Sequence, residues 1–555
     1  MRPALQLRAG GLSTNLATLH ARYIQLADAK KSAVHYSDRH LAVTIGKNTI
    51  FGVLASVVQV GTRFVMVPLV IYHLGLAGYG IWSVVMATAG YMRFGSAGLK
   101  SAFQKYVAEA TGNGDFQTAN KLLSTGSISM LALSLAGLLP LAVYSQRLAK
   151  ASGVPPEFLA AAAGSITLLA VILAVANFGA VFEAVVMGGH RIDLTRTFTM
   201  ITTTGEAIAI IVLLHYGYAL IAMAATMAIS ELIYVFCCFL ASRRVVPEIH
   251  VSPRHFTKNA WRELIRFAAS YQLVNILEVL YGMLVPVTIL RYFGAEIAGI
   301  YAVATRLVGA ALMGQDALIL PLLSGGTVMF ASGSIDRVER FLRKSFKATF
   351  AVTLFPLAFI ATFGSLIVLA WTGQRSPEFR ITIGLTCLAA AFNAISRLQL
   401  ILYRASGNAL HDNIRQAFRL GVLVVLAVFG GAIGFYRVLM GLALAELVGV
   451  FYMFFAMTSA FSFFNPRHLL SDTLRLMAAT AVTVVCGVAV TIVPMPWSMN
   501  EREMVLIKLG EVSLACLIAC WPAFALTKLM STQEQRTLLH LLAPWRKTGT
   551  ALIDE

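Results

Sequence analysis

Fourteen long apolar stretches follow one another along the chain, and nothing else in the sequence restricts the fold as tightly. Their approximate limits are 49–72, 79–99, 122–145, 161–187, 197–214, 218–240, 268–290, 297–323, 347–371, 381–403, 418–435, 438–458, 476–493 and 507–527. A helix needs about 20 mostly apolar residues to cross the hydrocarbon core of a bilayer, and each stretch is near that length. Strand-type alternation is absent, so the spanning elements are helices and not the strands of a barrel. Composition agrees: 13% of the 555 residues are charged, where a soluble chain has about 25%. The mean hydropathy is +0.75. A soluble enzyme, a disordered chain and a fibrous protein are excluded. The expected fold is an all-α integral membrane protein of about 14 transmembrane helices.

The net charge is +18, from 44 Lys+Arg against 26 Asp+Glu. The charges cluster in short loops between apolar runs, which points to a membrane partner and not to nucleic acid. Lys and Arg divide 32 to 8 between the two sides of the predicted topology, leaving Arg63, Arg93, Arg306 and Arg397 within spans. Cytoplasmic loops carry the excess of positive charge, so both termini are expected in the cytoplasm. Residues 1–46 lack the continuous apolar core of a signal peptide. Their Arg22, Lys30, Lys31 and Arg39 suit either a basic arm on anionic lipid or a disordered tail. The six cysteines lie in apolar runs without zinc-ligand spacing, so neither a disulfide framework nor a metal site is expected.

The chain repeats itself at an offset of 219 residues. Gly75 and Gly80 map onto Gly294 and Gly299, Gly114 onto Gly333, and Arg196 onto Arg415. Ser230-Glu231-Leu232 resembles Ala445-Glu446-Leu447 at a slightly shorter offset. The unit holds six spans, and an even number restores the orientation, so the repeats are parallel about an axis along the membrane normal. The domain reading is a basic arm at 1–46, an N-lobe at 47–245, a C-lobe at 246–460, two further spans at 461–528 and a cytoplasmic tail at 529–555. Two such lobes around a central cavity suit a rocking transporter.

An ionisable side chain at membrane depth is costly unless it faces a cavity or a partner. Gly52, Ser56, Gln59 and Arg63 share one face of span 1, and Tyr271, Asn275, Glu278 and Gly282 occupy the same register on span 7. Both stripes either line the cleft between the lobes or bond neighbouring helices within a lobe. Arg63, Arg93, Arg306 and Arg397 are the candidate cationic cavity residues, with Asn393 one turn before Arg397. Glu206, Glu278 and Asp316 are the candidate coupling carboxylates, and Glu278 is positioned in sequence to pair with Arg63 across the lobes. Glu183, Glu231 and Glu446 read as solvated or helix-packing residues near span ends. Arginine suits phosphate because its planar fork binds two oxygens and keeps its charge.

These features resemble the polysaccharide transporter family, the Wzx-type O-antigen and exopolysaccharide flippases of the multidrug/oligosaccharidyl-lipid/polysaccharide exporter superfamily. The residues that carry the resemblance are Leu74-Gly75 through Tyr79-Gly80-Ile81-Trp82, Gly98-Leu99, Lys105 through Glu109, Gly112 through Asp115 and Gly188 through Asp193. The family often has Asp-x-Gly at the end of span 2, where this chain has Ser96-Ala97-Gly98 and lacks the carboxylate. The resemblance implies alternating access in the bacterial inner membrane. It implies a polyprenyl-diphosphate-linked oligosaccharide as cargo, moved from the cytoplasmic to the outer leaflet, with polysaccharide polymerase and chain-length proteins as partners. No cofactor is implied; the drive would be proton or sodium coupling, or the membrane potential alone.

Two relatives by function compete with this reading: a flippase for the peptidoglycan precursor, and a multidrug cation exporter. The second would need a cavity of carboxylates and aromatics, which the intramembrane arginines oppose. A membrane polymerase or glycosyltransferase would need a sizeable extramembrane domain, and the longest outer loop is about 15 residues, at 146–160.

Overall fold

The computed structural model describes residues 38–92, 94–218, 220–331, 335–405, 410–460, 466–492 and 501–526, in places, such as 89–99 and 265–275, as backbone alone. Residues 1–37 of the basic arm and the whole tail at 529–555 lie outside this description. Fourteen α-helices and one 3₁₀ turn account for the described residues. The first seven are α1 (Asp38–Met92), α2 (Phe94–Asn113), α3 (Phe116–Val143), α4 (Ser145–Ala151), α5 (Pro156–Gly188), α6 (Ile192–His215) and α7 (Leu220–Val245). The second seven are α8 (Lys258–Ala331), α9 (Ile335–Thr372), α10 (Glu378–Ala405), α11 (Leu410–Ile433), α12 (Phe435–Ala460), α13 (Pro466–Ile492) and α14 (Glu501–Leu526). Among the described residues, eleven helical stretches are long and apolar enough to cross a membrane.

The difference from the fourteen sequence spans is explained mainly by α1 and α8. At 1.5 Å per residue, the 55 residues of α1 would extend about 80 Å, against a hydrocarbon core of about 30 Å. Each of these helices holds two spans. α1 breaks at Gly75 (φ 70°, ψ 175°) and α8 at Gly294 (φ 87°, ψ 173°). That backbone region is open essentially to glycine alone, so the chain can stop one span and start the next within a single residue. The two glycines are repeat mates.

α1 to α7 form one lobe and α8 to α12 the other, while α13 and α14 pack together and against α9. The lobes meet along α1 and α8. A continuous apolar core crosses this boundary, with Ile81, Val84 and Val85 on one side and Ile289, Ile300 and Val303 on the other. At its centre the backbones touch: a Cβ placed on Gly80 would overlap the Ala295 carbonyl, and one placed on Gly299 would overlap the Leu76 carbonyl.

Two further bridges join the lobes toward the Gly75–Gly294 end. Arg291 on α8 donates from Nη1 to the Ala151 carbonyl at 2.6 Å. Trp371 at the end of α9 stacks on Phe64 of α1 with ring centroids 4.2 Å apart, and its Nε1 donates to the Phe64 carbonyl at 3.0 Å. In each lobe, the segment after the third span thus reaches the first span of the other lobe.

The segment between the lobes is docked, not loose. Asn120 on α3 donates from Nδ2 to the Glu248 carbonyl at 3.0 Å and accepts from the His250 amide at 2.8 Å. The Ser124 and Thr125 hydroxyls accept from the amides of Ser252 and Thr257 at 3.0 Å each. Asp115 caps α3, accepting from the Thr118 amide at 3.1 Å. That bond holds the Asp115 carboxyl below its ordinary pKa.

Candidate functional site: a cavity in the first lobe

A cavity of about 540 Å³ opens among α1, α2, α5, α6, α7 and the second span of α8. Its polar wall is written into α6. Arg196, Thr199, Thr203 and Glu206 recur at helical spacing and all line the cavity, which places them on one face. Gln59 and Arg63 come from α1, Lys100 from α2, Glu183 from α5, Ser230, Glu231 and Tyr234 from α7, and Arg306 from α8. Further along the same helices the lining is apolar, with Val67, Val70, Ile172 and Met223. A polar region and an apolar region in one chamber suit an amphiphile.

Four cations, Arg63, Lys100, Arg196 and Arg306, and three carboxylates, Glu183, Glu206 and Glu231, line the chamber. The Lys100 ammonium sits 2.6 Å from Glu183 Oε1, and Tyr234 lies near Glu183 and Thr199. Arg196 differs: its Nε is buried with no hydrogen-bond partner among the described residues. A buried guanidinium nitrogen left in that state costs free energy.

The second lobe uses the same helical scaffold differently. Arg415, repeat mate of Arg196, is buried, 2% exposed. It lies 3.7 Å from Asp412 and 3.9 Å from Glu446, and donates to the Ser396 hydroxyl at 3.1 Å. Arg419 pairs with Glu446 at 2.5 Å and lies 4.2 Å over the Tyr281 ring. Asn393 donates to Glu446 at 3.0 Å. Beside this group, Arg397 pairs with Asp316 at 2.9 Å and faces Glu278 at 3.7 Å. Buried charges persist when paired, and this cluster pairs its arginines with its own carboxylates, although Arg415 Nε and Arg419 Nε, like Arg196 Nε, have no hydrogen-bond partner among the described residues.

The structure distributes the sequence candidates unevenly. Gln59, Arg63, Glu206 and Arg306 share the first-lobe cavity. Arg397, Glu278, Asp316 and Asn393 form the second-lobe ion cluster. Ser56 is exposed and donates to the Gly52 carbonyl. Arg93 and the side chain of Asn275 lie outside the described residues. Glu278, which by sequence could pair with Arg63, faces Arg397 in its own lobe at 3.7 Å. Of the two readings of Glu446, solvated or fixing helix packing, the structure supports the second: it is 3% exposed and bonds Arg419 and Asn393 on two neighbouring helices. Glu183 and Glu231 line the chamber. Sequence reasoning missed Lys100, Arg196 and Tyr234 as cavity residues. The Arg196-Thr199-Thr203-Glu206 spacing was the available signal. Among the described residues, no group of three His, Cys, Asp or Glu side chains could hold a metal ion.

The paired lobes, the spans broken at Gly75 and Gly294 and the polar chamber define a multi-pass helical membrane protein. The fold is that of the MOP superfamily. Over residues 45–320 the chain matches the model of the family described as "Polysaccharide biosynthesis protein". Solved structures with this fold include the lipid II flippase MurJ in an inward closed conformation, with a TM-score of 0.64 and 13% identity, covering 86% of this chain and 98% of that one. An inward-facing multidrug resistance MATE family transporter of the MOP superfamily has a TM-score of 0.59 and 14% identity, covering 70% and 94%. A MOP superfamily transporter from Pyrococcus furiosus, noted for the reverse polarity of its binding pocket, has 0.50 and 13%, covering 76% and 94%. At these identities the likeness is one of fold. No curated protein matches the chain in sequence.

Proposed function

We propose that this protein is a flippase for polyprenyl-diphosphate-linked oligosaccharide, carrying it from the cytoplasmic to the outer leaflet of the bacterial inner membrane. The observation that carries the reading is the convergence of Arg63, Arg196 and Arg306 on one chamber whose far end is apolar. A diphosphate suits the cations, and the apolar end accepts the start of a polyprenyl chain. The lobes then rock about the Gly80–Gly299 contact to exchange access. Both termini lie in the cytoplasm, following the distribution of Lys and Arg. The second-lobe arginines, already neutralised by Glu446, Asp316 and Asp412, hold that lobe together and leave the cargo to the first.

Energy supply is modest in magnitude. Moving one negative charge outward across 100 mV gains about 2.3 kcal/mol, and a dianionic headgroup roughly twice that. Proton exchange through Glu206 would add to this drive but is not required by it.

The test is flipping in proteoliposomes. Fluorescent polyprenyl-diphosphate oligosaccharide, scored by protection from an impermeant quencher, is expected to cross only when the protein is present. Deletion of the chain in its own cells is expected to leave the lipid-linked glycan in the cytoplasmic leaflet and to deplete surface polysaccharide. Normal glycan together with sensitivity to cationic drugs would overturn the reading.

A further inference from the structure

Among the described residues that line the chamber, Arg306 alone comes from the second lobe. Arg306 lies on α8, seven residues after Gly299, so it follows two turns along the same helical face. Tyr79 lines the same chamber, and its hydroxyl lies near the Arg306 guanidinium. Tyr79 is 4% exposed and immediately precedes Gly80. The Tyr79–Arg306 pair therefore straddles the lobe boundary beside its tightest backbone contact. The positions related to these by the repeat are Ala298 and Ala87, so the repeat supplies no second copy of this pair.

This asymmetry bears on how a cargo can move the lobes. A ligand shifts a conformational equilibrium only by its difference in affinity for the two states. An anion held solely by Arg63, Lys100 and Arg196 touches one rigid body and binds alike however the lobes are arranged. A contact with the other lobe is needed for occupancy to bias the rocking.

We infer that Arg306 is the positioning residue that couples the chamber to the second lobe: an anionic headgroup draws its guanidinium from the Tyr79 hydroxyl, and cargo binding thereby sets the lobe arrangement. The inference rests on the reading of the chamber as an anion site. A charged phosphate oxygen outcompetes a neutral phenol because charge-assisted hydrogen bonds are roughly twice as strong, and the guanidinium fork takes two such oxygens at once. In the empty chamber Tyr79 keeps Arg306 aimed inward. By linkage, the effect is reciprocal, so an arrangement that withdraws Arg306 weakens headgroup binding and favours release.

The experiment uses the full chain in nanodiscs with undecaprenyl diphosphate as probe and undecaprenol as the neutral control. Affinity is measured alongside hydrogen–deuterium exchange of the peptides spanning Gly75–Trp82 and Gly294–Val303. In the native protein, undecaprenyl diphosphate and not undecaprenol is expected to change exchange on both sides of the boundary. Arg306→Gln is expected to bind roughly tenfold more weakly and, at saturation, to show no exchange change. Tyr79→Phe is expected to bind more tightly and keep the response, and Arg306→Lys, which retains charge and fold, to keep part of it. Saturated Arg306→Gln that still changes exchange like the native protein would overturn the coupling role while leaving the anion site standing. If undecaprenyl diphosphate does not bind the native protein, the anion-site reading falls and the coupling role with it.

Discussion

Gly80 and Gly299 meet across the lobe boundary with their Cα atoms turned into each other's backbone. A methyl group on Gly80 would overlap the Ala295 carbonyl, and one on Gly299 the Leu76 carbonyl. The same offset of 219 relates Leu76 to Ala295 and Gly80 to Gly299. The contact is thus isologous within a single chain, each half presenting the same patch to the other, as in a two-fold dimer.

Alanine at either position must push the two helices apart, because the obstacle is backbone and cannot rotate away. Gly80→Ala and Gly299→Ala are each expected to lower stability by about 1–3 kcal/mol, the usual cost of overpacking. Thermal unfolding in detergent measures this. Gly52→Ala is the control: a Cβ there meets nothing within 4 Å, and removing a helical glycine is expected to leave stability unchanged or slightly raised.

The breaks in α1 and α8 make a separate prediction. Gly75→Ala and Gly294→Ala have open space around the new methyl, so any loss arises from backbone strain alone. A cost of about 1–3 kcal/mol is expected for each, read by the same unfolding assay.

Arg196 and Arg415 occupy equivalent positions of the repeat and are expected to respond in opposite ways. Arg196→Gln removes a buried nitrogen with no protein partner. Stability is expected to hold, while affinity for a polyprenyl diphosphate falls roughly tenfold or more, the worth of one charge-assisted hydrogen bond. Arg415→Gln leaves Asp412 short of its cation and is expected to lower thermal stability.

Glu446 carries the heaviest structural load of the second lobe. Glu446→Gln leaves Arg415 and Arg419 buried with too little negative charge, and an expected loss of about 3–5 kcal/mol follows. Pairing it with Arg419→Met should return part of that loss, since the stranded charge is then removed as well. Equal losses in the single and double variants, in a thermal unfolding series, would refute the pairing.

Much of this architecture could be read along the chain. The apolar runs set the spans because bilayer thickness sets their length, and the 219-residue repeat set the parallel lobes. Gly75 and Gly294 were visible as repeat mates before their backbone conformation was known. Arg63, Gln59, Glu206 and Arg306 stood out because polar groups are rare at membrane depth, and the chamber brings these four together.

What the sequence could not decide is which polar groups share a space. Asp193 and Asp412, Arg196 and Arg415, and Glu231 and Glu446 are three pairs of matching positions. Yet one lobe leaves Arg196 beside an open chamber, while the other closes Arg415 and Glu446 into an ion cluster. That outcome depends on how each helix is rotated and how closely its neighbours approach, which distant residues settle together. Span length and repeat register are properties of local sequence; the partner of a buried charge is a property of the packing, and only the tertiary structure determines it.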